Sequence, residues 1–230
     1  MTQTVPVYNA ATVREAERPL LEAGDPLMAR AAAALAAIVQ EFIDEIRSVA
    51  LAAPPASVLV LAGSGDNGGD ALFAASALQN ARVDVLSTGA HIHAAGLGAA
   101  VAVGARTVDL PEVRDAAATY DLVLDGILGI GGSAGLRGIA REAVAALLPA
   151  VVTGHPRVIA VDLPSGVDPD TGEADEVVLP ATVTVTFGAL KAGLAGGRGP
   201  ELAGDVVLAD IGLSLDRAEA VGEASVDRVV

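Results

Sequence analysis

The chain has 230 residues and is 52% hydrophobic, enough for one large α/β domain or two small ones around a sizeable core. A net charge of −15 and an aromatic content of 2% argue against nucleic acid, whose phosphates draw Lys and Arg and whose bases stack on rings. With no cysteine there is no disulfide, no thiolate metal site and no cysteine nucleophile.

The first residues lack the basic start and apolar run of a signal peptide. Asn9 is placed to cap a helix from residue 10 to about 21, with Pro19 as a kink or stop. Gly24 breaks it, and Asp25-Pro26 opens a second helix that runs to about residue 49. Leu27, Met28, Ala31, Leu35, Ile38, Phe42 and Ile46 recur near helical spacing there, so one face is buried and Met28 is read as core. The apolar run 31–39 is too short to cross a bilayer, so a soluble cytoplasmic protein with no membrane contact is expected. Residues 52–56 read as a linker. Strands are expected at 57–62, 82–86, 107–110, 122–126, 157–162, 182–187 and 205–210. Helices are expected at 69–80, 94–102, 111–118 and 139–148. Such alternation predicts a Rossmann-like α/β three-layer sandwich: a mostly parallel central sheet of about seven or eight strands, with the two N-terminal helices packed outside it. Residues 1–215 read as one domain, and the polar, acidic residues 216–230 as a tail or linker.

The most informative stretch joins the first buried strand to its helix. It reads Gly63-Ser64-Gly65-Asp66-Asn67-Gly68-Gly69-Asp70. Strand, glycine turn and helix start form the layout in which backbone N–H groups receive phosphate. Gly63, Gly65 and Gly68 fit G-x-G-x-x-G, but the second strand ends in Ser87-Thr88-Gly89, and Asp84 lies inside it. The acid that would hold a ribose hydroxyl is therefore missing, which argues against an ordinary nicotinamide dehydrogenase. Two other strands end in a similar style, at residues 125–135 and at residues 162–168. In a parallel sheet the three loops share one rim, where Asn67, Asp125, Asp162 and Ser165 can converge. Oxygen donors of this kind suit a hard cation. His91, His93 and His155 read as loop or surface histidines. There is no G-x-S-x-G elbow around Ser165, and no lysine follows the glycine loop, so hydrolase and phosphoryl-transfer chemistries are disfavoured.

Together these motifs resemble the NAD(P)H-hydrate epimerase family, the YjeF N-terminal domain. Residues 63–71 are similar to the family's G-x-G-N-N-G-G-D-G, and Asp162-Leu163-Pro164-Ser165-Gly166 to its D-x-P-S-G, with Asp170-Thr171-Gly172 following. Residues 181–187, with Lys191 to Leu194 after them, resemble its A-x-x-T-V-T-F segment. Residues 204–212 resemble its closing G-x-V-x-V-x-D-I-G, and Leu27-Met28-Ala29-Arg30-Ala31 its L-M-x-x-A helix. The likeness spans roughly residues 8–213. Asp66 stands where the family usually has Asn, and Ala71 where it has Gly.

The resemblance implies an isomerase of damaged cofactor, which interconverts the R and S forms of NADH or NADPH hydrated at C6 of the nicotinamide ring. It implies a potassium ion held by Asn67, Asp125 and Ser165. It places substrate against Asp66, Asn67, Gly68, Gly69 and Asp70, against Gly129, Ile130, Gly131, Gly132, Ser133, Ala134 and Gly135, and against Asp162. Asp162 is the expected acid/base group. Coupling to an ADP- or ATP-dependent dehydratase and a homodimer are also implied, with no room for that dehydratase within 230 residues. The alternative reading is a catalytically inactive nucleotide-binding or scaffold module of the same family.

Overall fold

The computed structural model describes residues 2–48, 54–132 and 134–230. Strand β1 (Gln3–Tyr8) leads into helices α1 (Ala10–Glu22) and α2 (Leu27–Ser48). The expected end of the second helix at 49 and residues 52 and 53 of the expected linker lie outside the described residues, and the linker's last residue, Ala56, already begins the next strand. Next come β2 (Ala56–Ala62), α3 (Asp66–Ala77), β3 (Ala81–Ser87), α4 (Ala94–Ala102), β4 (Arg106–Thr107), α5 (Leu110–Ala116), β5 (Leu122–Gly126), α6 (Gly138–Val151) and β6 (Arg157–Val161). The chain closes through β7 (Val183–Phe187), β8 (Leu190–Lys191), α7 (Ala192–Ala195), α8 (Gly199–Leu202), β9 (Asp205–Ala209), β10 (Gly222–Val226) and β11 (Arg228–Val229).

Eight strands form the central sheet in the order β11-β9-β7-β6-β5-β2-β3-β4, and every neighbouring pair is parallel. Both faces are covered, so β2 is buried along its whole length and reads as an unbroken apolar run. Its residues alternate all the same. Val58 and Val60 join Leu35, Val39 and Ile43 of α2 in one core, while Leu59 and Leu61 join Val113 of α5 and Val144 and Leu147 of α6 in the other. Each such side chain contributes roughly 1.5–3 kcal/mol by leaving water.

The second, three-stranded sheet, β10-β1-β8, was not legible in the sequence. Residues 216–230, expected as a tail or linker, carry β10 and β11 instead. β10 pairs antiparallel with β1, and β11 extends the central sheet beside β9. Both are short, and β10 is mostly exposed, so neither shows apolar alternation. The strand expected at 107–110 stops at Thr107. Asp109 and Glu112 form a reciprocal capping box there and start α5 at Leu110. Asn9 precedes α1 without capping it by side chain. The Ala10 N–H donates instead to Asp170 Oδ1 at 2.6 Å.

Candidate active site

The strand order reverses between β2 and β5. From β2 the chain moves outward to β3 and β4, then returns to the other side of β2 for β5, β6 and β7. The loops after β2 and β5 therefore diverge and leave a crevice at the carboxyl ends, where ligands of open α/β sheets bind. A cleft of about 720 Å³ opens there, lined by Gly63 to Asn67, Asp70, residues 127–132, Gly135 to Arg137, Asp162, and Arg14 and Glu17 of α1.

Glycine is required where the two diverging loops touch. A Cβ on Gly63 would lie 1.9 Å from the Ile127 carbonyl oxygen, and one on Gly68 would lie 2.2 Å from the Gly63 carbonyl oxygen. Both contacts are to backbone, so no side chain can swing aside. This close approach brings Asn67 and Asp162 to the same spot: a Cβ on Gly129 would be 2.9 Å from Asn67 Oδ1 and 3.3 Å from Asp162 Oδ2.

Asp125 is the penultimate residue of β5 and is completely buried. Its Oδ2 accepts the Ser165 backbone N–H at 2.8 Å, and its Oδ1 has no partner. Burial holds this carboxyl above the usual carboxylate range, and hydrogen bonds from Ser165 and the Ile127 backbone pull it partly back. Ser165 Oγ accepts the Leu128 N–H at 2.9 Å. Asn67 Nδ2 is likewise buried without a partner. A buried carboxylate oxygen with nothing to bind is costly unless a proton or a cation meets it. One carboxylate with a hydroxyl and an amide oxygen is a donor set for a hard cation of low charge. No group of three or more His, Asp or Glu side chains among the described residues offers the denser ligand set of a divalent or transition metal.

Asp162 follows β6 with φ of +69°, so the strand ends one residue earlier than expected. Its Oδ1 accepts from Lys191 Nζ, from the Phe187 N–H at 3.2 Å and from Thr186 Oγ1 at 3.3 Å. Lys191 is 1% exposed and also donates to the Phe187 carbonyl oxygen at 2.7 Å. One carboxylate oxygen is thus clamped by an ion pair while Oδ2 faces the cleft. Asp70, in the first turns of α3, is buried with Oδ1 unpartnered. Burial pushes its carboxyl up to about 8, helped by the negative charges of Asp162, Asp66 and Glu17 and opposed by Lys191. Glu17 is raised mainly by burial, against the pull of Lys191, with Asp162 and Asp66 adding to the rise.

The expected site residues fall into three groups. Asp66, Asn67, Asp70, Gly129, Ile130, Gly131, Gly132, Gly135 and Asp162 line the cleft. Asp125, Ser165, Gly68 and Gly69 are buried and do not line it; Gly69 packs beneath Met28 and His93. Ala134 does not line it either, and Ser133 lies outside the described residues. His93 is a loop residue that caps α4, its Nδ1 accepting the Gly96 N–H at 3.0 Å. Sequence reasoning missed Arg14, Glu17 and Arg137, and gave Lys191 no role. One signal was available: Lys191 is the only lysine among 14 cationic residues. Nothing in the sequence points to α1, because β1 carries it to the cleft by pairing Tyr8 with Lys191.

A doubly wound parallel sheet with glycine loops and gathered carboxylates at its switch point belongs to the Rossmann-like α/β class. Residues 24–193 match the family described as YjeF-related protein N-terminus, and the chain belongs to that family. It is 54% identical over 234 residues to an NAD(P)H-hydrate epimerase of Microbacterium testaceum, covering 99% of this chain and 88% of that protein. It is 49% identical to an NAD(P)H-hydrate epimerase of Clavibacter michiganensis, covering 95% of each. It is 39% identical to a bifunctional NAD(P)H-hydrate repair enzyme Nnr of Mycobacterium leprae, covering 96% of this chain and 44% of that protein. The crystal structure of yeast ynu0, YNL200c, shares the fold with a TM-score of 0.73 at 19% identity, covering 83% of this chain and 84% of that one.

Proposed function

We propose that the chain is an NAD(P)H-hydrate epimerase, which inverts C6 of the hydrated nicotinamide ring of NADH and NADPH. The observation that carries this reading is the pair of carboxyl groups in one cleft with different environments. Asp162 is clamped through Oδ1 by Lys191 and presents Oδ2, while Asp70 is pushed up to about 8 and holds its proton at neutral pH. A carboxyl that keeps its proton, beside a carboxylate held in an ion pair with one oxygen free, is suited to act as acid with base.

C6 carries the hydroxyl and is bonded to the ring nitrogen. Protonating the hydroxyl lets it leave as water, and the nitrogen lone pair closes to an iminium. Water then adds to either face and returns a proton. Asp70 can give the first proton and Asp162 can take the last. Glu17, Asp66 and Asp162 supply negative charge beside a cationic intermediate. Intact Asn67, Asp125, Asp162 and Ser165 favour this over the inactive scaffold reading.

The orphaned Asp125 Oδ1 supports potassium at that position, with Ser165 and Asn67 as further donors. The ion would supply the counter-charge that the buried carboxylate lacks and would brace the loops after β5 and β6. Mycobacterial relatives named as bifunctional repair enzymes favour coupling to a dehydratase. The reading places the enzyme in the cytoplasm, and a homodimer belongs to it. Among the described residues no single helix is long and apolar enough to cross a membrane.

The test is a coupled assay in which purified dehydratase consumes one epimer of hydrated NADH. With this chain present, the other epimer should be consumed as well, at a rate proportional to the protein added. A second phase no faster than in buffer would refute the reading.

A further inference from the structure

We infer that Arg14 and Arg137 form the phosphate-binding end of the cleft and receive the diphosphate of the substrate. This rests on the epimerase reading and deepens it. The substrate is a polyanion, and the cleft that would take it carries Glu17, Asp66 and Asp162 beside the protonated Asp70. Asp66 adds a negative charge at the glycine loop, where the family usually has a neutral Asn. Lys191 answers Asp162 from beneath, and only two cationic side chains line the cleft itself among the described residues: Arg14 and Arg137.

Among the described residues, at least nine of the 14 cationic side chains are committed to salt bridges within the protein. Arg14 and Arg137 are in none, and both are exposed. Arg14 Nε donates only to the Ala10 carbonyl oxygen of its own helix, at 3.3 Å. Arg137 stands at the cap position of α6, a helix of 14 residues whose first N–H groups have no side-chain cap. A guanidinium beside open N–H groups at a helix start is a strong donor site for a phosphate oxygen. Arg14 approaches from a separate element, α1, which Asp170 anchors by accepting the Ala10 N–H. Guanidinium groups from two elements can bind different oxygens of one diphosphate, which fixes its position and the reach of the nicotinamide toward Asp162.

The test uses Arg14→Gln, Arg137→Gln and the double variant, with Arg18→Gln on the outer part of α1 as control. Each single variant should raise KM for hydrated NADH by about 10- to 100-fold, the loss of a charged hydrogen bond, with kcat changed far less. Arg→Lys at either position should recover part of the loss, and Arg18→Gln should behave as wild type. On hydrated reduced nicotinamide riboside, which has no phosphate, each Gln variant should differ from wild type by less than about twofold. ADP-ribose, titrated calorimetrically, should show the same weakening as KM. Unchanged KM and unchanged ADP-ribose affinity would overturn the inference. So would an equal loss on the phosphate-free substrate, which would mark a structural role. The two readings separate cleanly. If wild type binds ADP-ribose through these arginines but inverts no substrate, the epimerase reading falls and the phosphate site stands. If it inverts substrate and the variants bind ADP-ribose as well as wild type does, the site falls alone.

Discussion

Replacing Asp70 by Asn should make the protein more stable and less active, and the stability gain should depend on pH. The folded carboxyl is pushed from 3.8 to about 8, so the folded state holds a proton that the unfolded chain has released. Stability then falls as pH rises between those two values, because the folded state binds more protons than the unfolded one. At 1.36 kcal/mol per pH unit, the penalty reaches about 2 kcal/mol at pH 5.5, about 4 at pH 7 and about 6 above pH 8. An amide is close in shape to the neutral acid and carries no charge, so D70N removes this penalty. Urea unfolding followed by circular dichroism at pH 5.5 and 8.5 measures it, both values lying above the pI of 4.4 where solubility is lowest. The variant should exceed wild type by about 3 kcal/mol more at pH 8.5 than at pH 5.5. Its turnover should fall because the amide cannot give up the proton. A difference between the two proteins that stays flat across this range would refute the reasoning, and Asp70 would then be an ordinary ionised carboxylate.

Other outcomes follow from the same geometry. Asp162→Asn should cut kcat by about 10²–10⁴-fold in the coupled assay while the circular dichroism spectrum holds, because Asn tolerates the positive φ at this position. Lys191→Met should destabilise by about 3–5 kcal/mol in urea, since it strands the Asp162 carboxylate beside Phe187 and Thr186. Gly63→Ala should yield little folded protein or lose several °C in Tm, because its Cβ meets the Ile127 carbonyl oxygen at 1.9 Å. If potassium answers the unpaired Asp125 oxygen, KCl at ten times its Kd should stabilise the wild type by about 1.4 kcal/mol over lithium chloride of equal strength, roughly 3–6 °C in Tm. Asp125→Asn should abolish that difference, and a potassium response that survives in this variant would place the ion elsewhere.

Most of the central sheet was legible because its inner strands are apolar runs bounded by glycine and polar turns, with helical spacing between them. Residues 122–126 and 94–102 fall where the sequence places them for that reason. Strands β1, β8, β10 and β11 were not legible. They are held by pairing across the chain, Thr4 with Ser225 and Val7 with Leu190, and a local pattern carries no trace of such partners. The same physics divides the site. Asp66, Asn67, Asp70, Asp125 and Asp162 stand at strand ends beside glycines and could be read directly. Glu17, Arg14 and Arg137 reach the cleft only through tertiary placement. The clamp on Asp162 depends on a lysine 29 positions away that folding buries.

The most direct test of the whole account starts from one pure epimer of hydrated NADH with no dehydratase present. Proton magnetic resonance follows the C6 signal of each epimer over time. The wild-type chain should drive the sample to the equilibrium mixture far faster than buffer does, and equal amounts of Asp162→Asn should slow that approach by at least about 10²-fold. Inversion at the buffer rate with wild-type protein, or at the wild-type rate with Asp162→Asn, would contradict it.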